Sequence, residues 1–247
     1  VIGMHGYRSS RHEFGMYDRL AETLCNMGIA MVRLDFPGNN DSQEPFINCT
    51  LQNMHTDVDT VVKYICEKFN FYPSVIGLLG YSMGGMTSLT YLEKLQDTPA
   101  AVALWAPGVN LREAVERSWS LPYGSVPQML KKADEDGTII FSDQWADTTV
   151  SRELLFDMLC ASPLQNLRMY EGNVLVIGGE NDTALRPLDF HIAYHTAIHA
   201  RHKEALFLDG KDHDLGSAWG DPAMEDREAI NQVITKTANF FKNSFTI

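Results

Sequence analysis

The pentapeptide Gly80-Tyr81-Ser82-Met83-Gly84 follows the pattern G-x-S-x-G, in which small residues two before and two after a serine let the chain turn sharply and push the hydroxyl outward. Its flanks fit that turn, with an apolar run at 74–79 before it and a helical pattern at 85–94 after it. A serine hydroxyl is a weak nucleophile at neutral pH, so it needs a base within hydrogen-bond reach and an acid to orient that base. Behind such an elbow the acid and then the histidine follow in chain order. Asp182 follows the apolar run 173–178, and His213 follows the run 205–208. Glu180 is the alternative acid. Asp212 and Asp214 lie too close to His213 along the chain to face its ring and read as loop charges. The oxyanion of acyl transfer needs preorganised N–H donors. The Met83 amide, at the start of a helix, is one, and the Tyr7 amide in Met4-His5-Gly6-Tyr7 is the other, with His5 orienting the loop. This chemistry calls for no cofactor.

The remaining candidates are weaker. His191, His195 and His199 recur every four residues with His202 close behind, a spacing that can bind zinc, but Ile192 and Thr196 stand where a metalloprotease carries glutamate. They read as a polar helix face, and no metal is expected. Cys25, Cys49, Cys66 and Cys160 are far apart and form no C-x-x-C, which favours a reducing, cytoplasmic compartment. The sequons at Asn48 and Asn181 leave secretion open. A net charge of -12 repels phosphate backbones and anionic lipid, so neither nucleic acid nor a membrane is an expected partner.

Positioning those side chains requires a sheet. Strand-length apolar runs at 1–4, 30–36, 74–79, 101–105, 173–178 and 205–208 alternate with segments of helical period, which predicts an α/β fold with a mostly parallel sheet. Met54, Val58, Val61, Val62, Ile65 and Phe69 fall on one helical face, Phe14, Tyr17, Leu20, Ala21 and Leu24 on another, and 224–241 makes a closing helix. Residues 108–167 exceed what one crossover needs. They are read as an insert with helices at 111–118, 126–133 and 152–160, an extended pair at 138–141 and 148–151, and the aromatic residues Trp119, Tyr123, Phe141, Trp145 and Phe156. The core is then 1–107 with 168–247, and 108–167 is an apolar cap over the carboxyl ends of the strands, where a substrate wall belongs. Val1-Ile2-Gly3-Met4 reads as the middle of a buried strand, which predicts further chain, with room for a signal peptide, before it.

On these residues the chain resembles serine hydrolases of the α/β-hydrolase fold, and within them the feruloyl (cinnamoyl) esterase and serine aminopeptidase-like group. The resemblance rests on His5-Gly6-Tyr7 through Glu13, Gly15-Met16-Tyr17-Asp18, Asp35-Phe36, Asp41-Ser42, Pro45-Phe46, the elbow, Pro163-Leu164 and the Asp182 and His213 loops. It implies a carboxylic ester hydrolase acting on hydroxycinnamate or other small acyl esters, with two strands preceding the His-Gly loop. It also implies that Asp143 contacts the phenolic end of the substrate, beside Trp145. Departures are Pro37 for a basic residue, Asn39-Asn40 for His-Gly, and Tyr81 for a histidine. The same triad also serves aminopeptidases, thioesterases and lipases, and a hydrolase-shaped binding protein is the non-catalytic alternative. A small-molecule ester is the expected partner, and assembly into a homodimer stays open.

Overall fold

The computed structural model describes residues 1–94, 99–142 and 146–245. Asp143 and Trp145 lie outside the described residues. Six strands, β1 (Ile2–Met4), β2 (Val32–Arg33), β3 (Gly77–Tyr81), β4 (Ala101–Trp105), β7 (Asn173–Gly179) and β8 (His202–Leu208), form one parallel sheet in the order β2-β1-β3-β4-β7-β8. Strand order reverses between β1 and β3, so a crevice opens at their carboxyl ends, the place where parallel sheets bind ligands.

Helix α1 (Met16–Asn26) and the terminal α9 (Arg227–Phe245) pack together on one face of the sheet. On the other lie α2 (Leu51–Phe69), α3 (Met83–Tyr91), α7 (Pro163–Met169) and α8 (Pro187–Thr196). The alternation of side chains along each strand sets this division. Trp105 donates its indole N–H to Thr237 of α9 at 2.9 Å, whereas a Cβ on Gly80 would strike Gly84 O of α3 at 2.2 Å. Both faces are therefore covered and the central strands are apolar throughout, with β3 and β4 buried along their whole length.

Residues 108–167 hold α4 (Leu111–Ala114), a π-helical turn at Val115–Trp119, α5 (Val126–Asp136), the antiparallel pair β5 (Thr138–Ser142) and β6 (Asp147–Ser151), and α6 (Arg152–Cys160). Arg117 of the π turn donates to Thr183 O at 3.0 Å and Ala184 O at 2.7 Å. Asp157 accepts the Leu51 amide at 2.7 Å.

Three expected elements differ. The run 30–36 pairs only at Val32–Arg33, and at its far end Phe36 N–H leaves the ladder and goes to the His5 ring at 3.0 Å. Strand β3 starts at Gly77 rather than 74, where its partner β4 begins, and Pro73–Val75 forms a 3₁₀ turn instead. On α2, capped by the Thr50 hydroxyl accepting Asn53 N–H, His55 takes the buried place and Phe69 is exposed.

The approach of α3 to β1 is a tight constraint in this frame. A Cβ on Gly84 would lie 2.1 Å from Met4 O and 2.7 Å from His5 O, both backbone atoms that cannot swing away. Gly84→Ala is expected to cost at least about 1–3 kcal/mol through overpacking, read as a lower urea midpoint at unchanged m-value. A midpoint equal to that of the parent protein would contradict the packing described.

Candidate active site

Ser82 sits between β3 and α3 with φ 52° and ψ -115°, a strained left-handed turn that only its surroundings hold in place. Those surroundings are explicit. The Ser82 amide donates to Trp105 O at 2.9 Å, while its carbonyl accepts Gly85 N–H at 2.9 Å and Gly108 N–H at 2.8 Å. His213, in the loop after β8, places Nε2 3.0 Å from Ser82 Oγ and Nδ1 2.6 Å from Asp182 Oδ2. Asp182 follows β7, and its other oxygen accepts Leu185 N–H at 2.7 Å. All three residues are nearly buried. With Nδ1–H donated to the carboxylate, Nε2 is left to accept from the serine hydroxyl.

Glu180, the alternative acid, lies 2.9 Å from His191 and makes no contact with His213. Asp212 accepts the amides of Thr183 at 2.8 Å and His213 at 2.6 Å. Burial pushes its carboxyl up, but these bonds outweigh that and hold it below the usual carboxylate range. Asp214 accepts Gly216 N–H at 2.9 Å. Of the spaced histidines, His191 and His195 lie on α8, whereas His199 lies beyond its end.

The amides of Met83 and Tyr7 are the two expected to meet an oxyanion. Met83 is the first residue of α3, whose leading N–H groups have no partner within the helix. Tyr7 follows Gly6, and a Cβ on Gly6 would lie 2.8 Å from the Tyr81 ring and 3.3 Å from Ser82 Cβ, so the His-Gly loop rests on the elbow. Two buried side chains clamp that loop. His5 Nδ1–H donates to Gly6 O at 2.7 Å, and since C=O and N–H of a trans peptide point opposite ways, this aims the Tyr7 N–H away from His5. Glu13 accepts the Gly6 amide at 2.9 Å and the Ser9 hydroxyl at 2.7 Å. Burial holds His5 neutral by pushing its pKa down to about 4. The Tyr81 hydroxyl donates to His213 O at 2.8 Å and ties the histidine loop to the elbow. Burial and nearby carboxylates raise its pKa well above the usual phenol value, so it remains a donor.

Aromatic rings gather at Tyr7 and beside His213. Tyr7 meets Trp119 at 5.2 Å, Phe46 at 5.5 Å and Phe141 at 6.0 Å, and Trp119 stacks on Phe141 at 4.2 Å. Beyond His213, Trp219 lies with its ring 6.1 Å from the imidazole and meets Phe14 edge-on at 5.3 Å. Both rings sit on left-handed non-glycine backbone, with φ 43° and 54° at Glu13-Phe14 and 48° and 53° at Ala218-Trp219. Such backbone costs about 1–2 kcal/mol per residue. An edge-to-face pair returns only about 0.5–1.5 kcal/mol, so the contact alone does not account for the conformation.

Residues 1–217 match the family model described as serine aminopeptidase, S33. The chain belongs to the serine aminopeptidase S33 family. No curated protein sequence matches it. The S33 chain is similar in structure to Est1E from Butyrivibrio proteoclasticus with ferulic acid bound, at a TM-score of 0.78 and 18% identity, over 100% of this chain and 89% of that one. It is also similar to a monoacylglycerol lipase from Paleococcus ferrophilus (TM-score 0.68, 18% identity, 98% of this chain and 93% of that one). The esterase EaEST from Exiguobacterium antarcticum matches at a TM-score of 0.63 and 15% identity, over 98% of this chain and 91% of that one. These likenesses establish the α/β-hydrolase fold.

Trp219 and the clamp made by Glu13 were not among the expected site residues, and Phe14, expected on the helical face with Tyr17 and Leu20, instead lies in the left-handed turn before α1 begins at Met16. For Glu13 a signal existed, an acid before a glycine in the loop that must present the Tyr7 amide. For the Phe14–Trp219 pair there was none, since only backbone sign brings residues 205 positions apart together.

Burial raises the Glu13 carboxyl from its ordinary 4.5 to about 8, against the opposing bonds from Ser9 and Gly6. The folded protein therefore keeps a proton that the unfolded chain releases, so the stability this group contributes is full below about pH 4.5 and is lost as pH rises toward 8. Glu13→Gln keeps an acceptor for Gly6 N–H and cannot ionise, so it should flatten the decline of Tm across that window. A pH slope identical to that of the parent would show that Glu13 is not held neutral.

Proposed function

We propose that this S33-family protein is a serine ester hydrolase working through an acyl-enzyme. Ser82 Oγ forms a bond to the substrate carbonyl carbon as its proton passes to His213 Nε2. The tetrahedral oxyanion is met by the amides of Tyr7 and Met83. The bond to the alcohol oxygen then breaks as His213 returns the proton to it, and water, activated by the same imidazole, releases the acid. Asp182 holds the imidazole in the tautomer that leaves Nε2 as acceptor. The observation that carries this reading is the continuous hydrogen-bonded line from Asp182 through His213 to Ser82.

We also propose the division read from the sequence, with 108–167 as a cap on a core of 1–107 and 168–247. The rings of Trp119 and Phe141, stacked together and facing Tyr7, then form an apolar aromatic wall for the acyl group. That wall, and the ferulic acid bound to Est1E in a chain of the same fold, support a hydroxycinnamate or similar aromatic acyl group. Asp143 and Trp145, next along the chain from Phe141, belong to the same proposal. The family's aminopeptidase name makes peptide cleavage the second reading.

A panel of a hydroxycinnamate ester, a short aliphatic nitrophenyl ester and an aminoacyl-nitroanilide separates these readings. The highest kcat/KM is expected on the hydroxycinnamate. Turnover confined to the anilide would overturn the esterase reading. Asp182→Asn should lower kcat by about 10⁴-fold with Ser82 still in place. Glu180→Gln should leave kcat within about threefold. The reverse pattern would move the acid to Glu180.

A further inference from the structure

The acyl-transfer reading leaves one side of the reacting centre undescribed, the side on which the alcohol departs. The group that protonates the alcohol oxygen is His213 Nε2, so the alcohol must pass beside the imidazole. Among the described residues, that ring has two aromatic neighbours. Tyr81, 5.2 Å away, is buried and bonded to the His213 carbonyl. Trp219, 6.1 Å away, is 37% exposed, and it is thus the ring an arriving substrate can touch. Phe14 stands edge-on to it from a different part of the chain, and a Cβ added at Gly220 would lie 3.7 Å from the Phe14 side chain.

We propose that Trp219 and Phe14 form the subsite for the leaving alcohol, and that the alcohol carries an uncharged ring. The inference rests on the acyl-transfer reading of Ser82 and goes beyond it by assigning the second half of the substrate. Left-handed backbone at Glu13-Phe14 and at Ala218-Trp219 sets Trp219 beside the imidazole and Phe14 edge-on against Trp219. The charged groups nearby are already engaged. Asp212 is spent on Thr183 and the His213 amide, Asp214 on the Gly216 amide, and Lys211 on Asp226 at 2.5 Å. The partly exposed ring of Trp219 beside the imidazole, with Phe14 edge-on to it, favours a flat apolar partner.

The test uses ethyl, benzyl and choline esters of one acid. These share a single acyl-enzyme, so their deacylation is common and any alcohol preference falls in kcat/KM. The protein should favour benzyl over ethyl by roughly tenfold, Trp219→Ala and Phe14→Ala should each cut that ratio severalfold, and Trp219→Phe should retain most of it. A benzyl-to-ethyl ratio that survives both alanine variants overturns the subsite. So does an equal loss on both esters carried by the deacylation rate, which marks a merely structural role. A preference for the choline ester that Trp219→Ala abolishes overturns the uncharged assignment. A protein that hydrolyses none of these esters and takes no fluorophosphonate on Ser82 removes the acyl-transfer reading, and the subsite with it.

Discussion

An imidazole 131 residues along the chain can reach the Ser82 hydroxyl only because the backbone reverses at that serine in a left-handed turn. That turn is unfavourable by itself, and three long-range backbone hydrogen bonds or close approaches hold it. The amide of Ser82 is bound by the end of β4, its carbonyl by Gly108, and α3 is seated so tightly on β1 that a single methyl group at Gly84 would collide with main-chain oxygen. Strain at one residue is thus maintained by the parallel sheet as a whole. The same arrangement puts the first amide of α3 beside the His-Gly loop, and the loops after β7 and β8 deliver the carboxylate and the imidazole to the same edge.

A second layer of buried polar groups stands behind this edge. His5 and Glu13 grip the two ends of the Gly6 peptide, and Tyr81 grips the backbone of the histidine loop. None of these side chains reaches the Ser82 oxygen. Each fixes a main-chain segment that carries a group which does. Because burial keeps His5 and Glu13 uncharged near neutral pH, their grip is dipolar, and it persists without a counter-ion.

Much of this was legible in the sequence, for physical reasons that differ by element. The elbow at 80–84 could be read because steric need for glycine is local, and the strands at 101–105 and 173–179 because burial on both faces leaves a continuous apolar run. Chain order then selected Asp182 and His213, which the fold brings to within 2.6 Å of each other. The strand expected at 30–36 pairs only at 32–33, since apolar pattern does not reveal that Phe36 N–H turns away to the His5 ring. The meeting of Trp219 with Phe14 was invisible, and Phe14 was set on a helix that starts only at Met16, because both depend on left-handed backbone at residues with no local preference for it. The segment 108–167 was visible as surplus length and aromatic content, yet the seating of Trp119 and Phe141 against Tyr7 is a tertiary fact that no periodicity encodes.

The central claim is that Ser82 is the nucleophile. Brief incubation with a fluorophosphonate, followed by intact mass and peptide mapping, tests it most directly. One adduct per chain is expected, on the peptide bearing Ser82, with no adduct on the Ser82→Ala protein. A modification mapped to another residue, or one that persists at full stoichiometry in that variant, would contradict it.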